Sequence, residues 1–167
     1  MYDELLPLLL ALDGVRQDPA YHPEGDALFH SLQVFDLARA ATQDRALWAA
    51  ALLHDVGKAV DSPNHDEVGA DLLEDIVSPR IVWLVRHHLD LLKNPRMTKR
   101  RFRGTTALVD LQHLRRWDVG GRSPHAIVLS PEIALSMILD TKDLSLLDPS
   151  GEPAPLHENH EPGKEIL

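Results

Sequence analysis

The stretch RALWAAALLHDVGKAV, residues 45–60, decides the fold. From Ala46 to Leu53 every side chain is small or apolar, so a helix built from it has no polar face and must be surrounded by other helices. Asp44 is a candidate N-cap, which places the helix over about 44–57. Its end carries His54, Asp55, Gly57 and Lys58 within one turn. An ionised carboxylate at the end of a buried helix is costly unless a cation, a set of donors or a water-filled cleft meets it. A metal ion answers that need. Successive helical residues diverge by about 100°, so His54 and Asp55 reach one ion only near the helix end, where Gly57 is read as leaving room for access.

The flanking sequence is helical as well. Strand-like alternation is nearly absent, and apolar residues recur at helical spacing, which predicts an all-α bundle of about six to seven helices. A first helix is expected over about 3–12, stopped at Asp13-Gly14, and a second over about 26–42. In the second, His30, Val34, Leu37, Ala38 and Ala41 share the inward face, while Gln33, Asp36 and Arg39 point away. Further helices are expected at about 64–77, 79–91, 105–118 and 131–143, with Ser78-Pro79 and Ser130-Pro131 as starts and Gly120-Gly121 as a stop. KNPRMTKRRFR, residues 93–103, reads as a basic loop, either solvated or a local phosphate-holding patch. The domain is expected to span 1–147, and residues 148–167, rich in Pro and acids, to form a mobile acidic tail.

Composition narrows the class. The chain has 167 residues, 44% of them hydrophobic and 26% charged, which suits one soluble globular domain. No stretch approaches the roughly 20 apolar residues of a membrane helix, and LLPLLLAL follows Asp3 and Glu4 rather than a basic segment, so neither a membrane span nor a secretory signal is expected. The absence of cysteine excludes disulfides, thiolate metal sites and cysteine nucleophiles; a cytoplasmic location fits. A net charge of −9 argues against a general nucleic-acid binder. Ten histidines, eight of them between His22 and His125, are the unusual feature.

Several ordered segments then carry a resemblance. YHPEGDALFHSLQVFDLA (21–38), LLHDVGKA (52–59), NHDEVGADLLEDI (64–76), VRHHLDLL (85–92) and RRWDVGGR (115–122) resemble, in this order, segments of the HD domain attached to bacterial CCA-adding tRNA nucleotidyltransferases. The chain is thereby similar to the HD superfamily of metal-dependent phosphohydrolases, whose fold is an all-helical bundle. The resemblance implies that His30, His54, Asp55 and Asp118 bind a divalent metal, with Asp118 preferred to Asp110 because of the DVGGR sequence after it. His65 and His88 match positions that in some members hold a second metal and in others contact phosphate; His87 is a second choice. The cofactor implied is one or two divalent ions, of Mn, Mg, Co, Ni, Fe or Zn. No nucleotidyltransferase segment precedes the motif in these 167 residues, so tRNA end synthesis is not expected of them.

The expected activity is hydrolysis of a phosphomonoester or phosphodiester of a nucleotide or an RNA end by metal-activated water. In that scheme Asp55 ligates and orients the water, Lys58 neutralises phosphate charge, and His65 or His88 protonates the leaving oxygen. Arg122 and Arg103 are further phosphate clamps, and His22, with Glu24, either lines the pocket or belongs to a turn capped by Asp26. Duller readings compete: Lys58 also complements a helix C-terminus, His113 is read as structural, and Trp48 and Trp83 as core. A small phosphorylated substrate is the expected partner, with tRNA or an RNA end as an alternative and no membrane. Two other functions stay open: a non-catalytic regulatory module, and a diiron oxygenase.

Overall fold

The computed structural model describes residues 1–139. The mobile tail expected over 148–167, and the last residues of the helix expected to reach 143, lie outside them. The described chain runs α1 (Tyr2–Leu10), α2 (Ala27–Ala41), α3 (Arg45–Leu53), a 3-10 turn (Val56–Ala59), α4 (His65–Leu73), α5 (Pro79–His87), α6 (Asp90–Lys93), α7 (Pro95–Arg101), α8 (Thr106–Gly120) and α9 (Pro131–Leu139). The fold is all-α. Among the described residues β pairing is limited to an isolated bridge between Arg16 and Asp26, and no helix is long and apolar enough to cross a membrane.

α3 is the central helix, as its composition requires. It packs against α2, α5, α8 and α9, and every residue from Ala46 to Leu53 is buried. Full burial of each large apolar side chain in it, Leu47, Leu52 and Leu53 among them, contributes about 1.5–3 kcal/mol, so the helix end is held firmly. The Asp44 side chain caps the helix by accepting from the backbone N–H groups of Ala46 (3.0 Å) and Leu47 (3.3 Å). Its other oxygen lies 2.7 Å from Arg80 on α5, and Arg80 also reaches Asp110 on α8 at 2.8 Å. One cap therefore ties three helices together. Asp44→Ala is expected to lower stability by about 1–2 kcal/mol in urea denaturation, and Asp44→Asn, which keeps the acceptor, to recover most of that loss, because part-exposed ion pairs contribute little.

The structure corrects the expected helix ends. α3 stops at Leu53, and the chain passes through His54 and Asp55 into the 3-10 turn instead of continuing to residue 57. α4 ends at Leu73, because Glu74 is extended and Asp75 takes a positive φ of 63°. The basic segment is not a loop: Pro95 starts α7, preceded by the short α6, so there are nine α-helices among the described residues where about six to seven were expected. Gln33 points inward, not outward. α2 is flanked by α3 on one side and α8 on another, so its buried arc is wider than one stripe, and the Gln33 amide exchanges hydrogen bonds with the backbone of Ser123 (2.9 and 3.0 Å). Leu37, assigned to the core face, is 38% exposed.

Candidate metal centre

Each histidine of the centre is set by a helix terminus or an inward helix face. His54 follows the last residue of α3, His65 opens α4, His88 follows α5, and His30 lies within α2. All four use Nδ1 in the same way. Nδ1–H of His30 donates to Gly121 O (2.9 Å), of His54 to Ala51 O (2.9 Å), of His65 to Ser62 O (2.7 Å) and of His88 to Val85 O (2.6 Å). A carbonyl accepts only from a protonated nitrogen, so these contacts favour the Nδ1–H tautomer and leave the Nε2 lone pairs free.

Those lone pairs converge on Asp55, which is almost fully buried. Its Oδ2 lies 3.4 Å from His54 Nε2 and 4.0 Å from His30 Nε2; its Oδ1 lies 3.2 Å from His65 Nε2 and 3.9 Å from His88 Nε2. Asp118 Oδ1 adds a second carboxylate 3.2 Å from His30 Nε2, and the Nε2 atoms of His65 and His88 are 3.3 Å apart. Lone pairs facing carboxylate oxygens and one another repel unless a proton or cation stands between them. His30 Nε2 is buried with no hydrogen-bond partner despite its closeness to Asp118, the contact being short but misdirected. Ligands about 2.1 Å from one ion lie roughly 3–4 Å apart, which is the spacing seen. Two donor sets, His30/His54/Asp55 and Asp55/His65/His88, can each hold an ion, and they share Asp55. The residues present fit a divalent metal.

Electrostatics agree with this. Burial pushes the His54 imidazole down to about 3 against the attraction of Asp55, and burial likewise lowers His88 and His22. Burial alone would raise the two carboxylates. The imidazoles and Lys58 around Asp55 outweigh it and hold Asp55 well below the carboxylate range, and His30 and His54 do the same for Asp118. His30 moves the other way: burial opposes its charging, but Asp118 and Asp55 raise it. Without metal, the three lowered histidines make acid unfavourable, since the unfolded chain binds protons below about pH 6.5 that the folded chain refuses. The stability contributed by Asp55 and Asp118 is lost at still lower pH, as it falls through their folded values. The His30 contribution has the opposite sign, present below about pH 6.5 and lost as pH rises through its raised value. The urea midpoint of chelator-treated protein is therefore expected to fall between about pH 6.5 and 4; a midpoint flat or rising on acidification would contradict this charge state.

The supporting residues divide. Lys58 Nζ donates to Asp55 Oδ2 at 2.7 Å and to the Gln17 side chain, so here it braces the carboxylate. Arg122 donates to Asp118 Oδ1 (3.2 Å) and Tyr21 O (3.0 Å). Arg115, which the sequence reading does not single out, grips the other Asp118 oxygen at 2.7 Å; its signal is the i, i+3 spacing. Glu24 resolves the two readings of the HPEGD turn. Its side chain is fully buried, with Oε1 2.8 Å from Nδ1 of both His22 and His30, while Asp26 caps α2, so the HPEGD turn both enters the helix and lines the site.

Two assignments are corrected, those of His87 and Gly57. His87 does not join the cluster: its Nδ1 lies 2.9 Å from Asp90, and its ring packs 4.6 Å from that of Trp83. Arg103 is exposed in the turn after α7 and makes no ion pair among the described residues. Gly57 gives no access, since a Cβ on it would stand 2.2 Å from His65 O. His113 stacks on Trp117 at 5.5 Å, and Trp48 is core, but Trp83 is only partly buried.

Comparison with known proteins gives a consistent picture. The sequence profile of the family described as HD domain matches residues 28–130, more than half of the chain. The Multifunctional CCA protein of Halorhodospira halophila is 47% identical over 74 residues, 40% of this chain and 18% of that one. Proteins of the same name from Hahella chejuensis (40% over 78 residues; 42% and 18%) and a Janthinobacterium species (40% over 83 residues; 46% and 20%) are also similar. The matched stretch spans a fifth or less of each of these relatives.

Proposed function

This chain belongs to the HD domain family, and from that premise we propose that it is a divalent-metal-dependent phosphohydrolase acting on a phosphomonoester or phosphodiester of a nucleotide or RNA end. HD domains bind divalent metals, and the observation that carries the reading is the convergence of four Nε2 atoms on the two oxygens of Asp55, with Asp118 Oδ1 3.2 Å from one of them, His30 Nε2. His30, His54, Asp55 and Asp118 would hold one ion, and His65 and His88, with Asp55 shared, a second.

A bound divalent ion supplies the site with activated water and polarises a phosphoryl oxygen. The chain's own groups do the rest. Asp55, its charge maintained by Lys58 and the imidazoles, orients the attacking water. Lys58 and Arg122, close enough that both disfavour charge on His22, form a cationic rim that offsets phosphate charge as it builds, and His22 lines it as a neutral imidazole. Glu24 fixes His22 and His30. When it is not a ligand, His65 Nε2 is placed to take the proton released by the attacking water and pass it to the leaving oxygen; His88, lowered by burial, stays neutral and suits ligation.

Phosphomonoesters, 2′,3′-cyclic nucleotides and nucleoside triphosphates, each assayed with Mn, Mg, Co, Ni, Fe and Zn, test the reading. At least one pair should turn over and lose activity on chelation. Hydrolysis of none would favour a regulatory module instead. The sharing of Asp55 between two donor sets also suits a diiron oxygenase; visible absorption bands appearing after anaerobic iron loading and oxygen exposure, with no phosphate released, would select it.

A further inference from the structure

We propose that the exposed face of α7 and the turn following it form a docking surface for the phosphodiester backbone of a single-stranded nucleic acid. Residues 93–103 hold six basic side chains and no acid. Lys93 is committed to Asp66, with its ammonium 2.6 Å from the carboxylate. Arg96, Lys99, Arg100, Arg101 and Arg103 are exposed and make no ion pair with a carboxylate among the described residues. Nearby acids are engaged elsewhere, Asp90 with His87 (2.9 Å) and Asp110 with Arg80 (2.8 Å). Like charges within a helical turn repel by a few tenths of a kcal/mol per pair. In a chain of net charge −9, five such cations held together make a surface suited to a polyanion.

Beside them lie two partly exposed rings packed on a buried third, Phe102. Trp83 and His87, both partly exposed, pack with ring centroids 4.6 Å apart; the Trp83 ring meets Phe102 edge-on at 5.3 Å, and the Arg101 guanidinium sits 5.0 Å above Phe102. Cations that track a backbone next to rings on which bases stack are the two parts of a single-strand site. Four of the five cations are arginines, which bind phosphate bidentately. A lipid surface fits less well, because only Leu92 and Met97 project here and α7 has seven residues. α7 begins two residues after Lys93, which reaches Asp66, the chain neighbour of His65. The docking does not rest on the phosphohydrolase reading.

The test is fluorescence anisotropy of a labelled RNA of about 15 nucleotides with the full chain stripped of metal, over about 50–300 mM salt. Five phosphate contacts predict a log–log salt slope of about −3.5. Arg96→Glu, Lys99→Glu and Arg100→Glu combined should weaken binding at least about tenfold and flatten the slope by about 2, with hydrolysis of a mononucleotide and thermal stability unchanged. Trp83→Ala should weaken binding about fivefold or more with the slope intact. Absence of RNA binding at low salt, an unchanged slope in the triple variant, or binding to phosphatidylserine vesicles in preference to RNA would each overturn the proposal. RNA binding without phosphate turnover under any metal would support it while refuting the hydrolase reading.

Discussion

Asp55→Asn is expected to reduce phosphate turnover by about a thousandfold or more, with bound metal lost in parallel. The reason is geometric. The two oxygens of Asp55 serve two groups of imidazoles, His30 and His54 on one side and His65 and His88 on the other. An amide keeps one oxygen and replaces the other by an NH2 group that cannot ligate, so one donor set is broken however the amide turns. The same substitution removes the charge that offsets a cation in a buried site. Metal-free stability should not follow activity down. An amide N–H can donate to an Nε2 lone pair that a carboxylate repels, and the amide oxygen still accepts from Lys58. The carboxylate charge that Lys58 and the imidazoles favour is lost, so the urea midpoint of metal-free Asp55→Asn is expected to fall slightly below that of metal-free wild type, far less than turnover falls. A variant that loses stability and activity together, but retains metal, would mark Asp55 as structural.

Gly57→Ala is expected to cost about 3 kcal/mol or more, or to prevent folding. The added Cβ would meet His65 O at 2.2 Å and Gly69 N at 2.6 Å. Both are backbone atoms of α4, and neither can turn aside. The helix would have to move, carrying His65 away from Asp55, so metal affinity should fall as well. Gly69→Ala is the internal comparison. Its Cβ would stand 3.2 Å from Gly57 N and 3.4 Å from Val85 Cγ1, a strain partly offset by the gain of about 1 kcal/mol in helix propensity. Thermal denaturation of the pair should show a large loss for the first and a small change for the second; equal effects would contradict the close packing of the 3-10 turn on α4.

Much of this was legible because it rests on local chemistry. A helix apolar on every side has to be central, and α3 is. His30 on a helical stripe, and a His-Asp pair at the end of a buried helix, indicate where polar groups are carried into the core. The choice of Asp118 over Asp110 rests instead on the family resemblance of DVGGR, and in the fold Asp110 faces Arg80 while Asp118 faces His30. What was not legible depends on contacts across the bundle. The backbone carbonyls that fix the four imidazoles leave no mark on side-chain pattern, and the partner of His30 is Gly121, 91 residues away. His87 and His88 are adjacent, and the roughly 100° between successive helical residues sends one to the metal centre and the other to Trp83. Gly57 reads as open space until α4 is packed against it. The basic segment hid a helix because charge rather than periodicity dominates it.

The most direct measurement is the metal content of protein reconstituted with each divalent ion and freed of excess, for wild type and Asp55→Asn. Wild type is expected to retain one or two equivalents of at least one ion and the variant to retain less, with a two-ion site showing the larger loss. A wild type that retains none, or a variant that retains as much as wild type, would contradict the assignment of these histidines and aspartates as a metal centre.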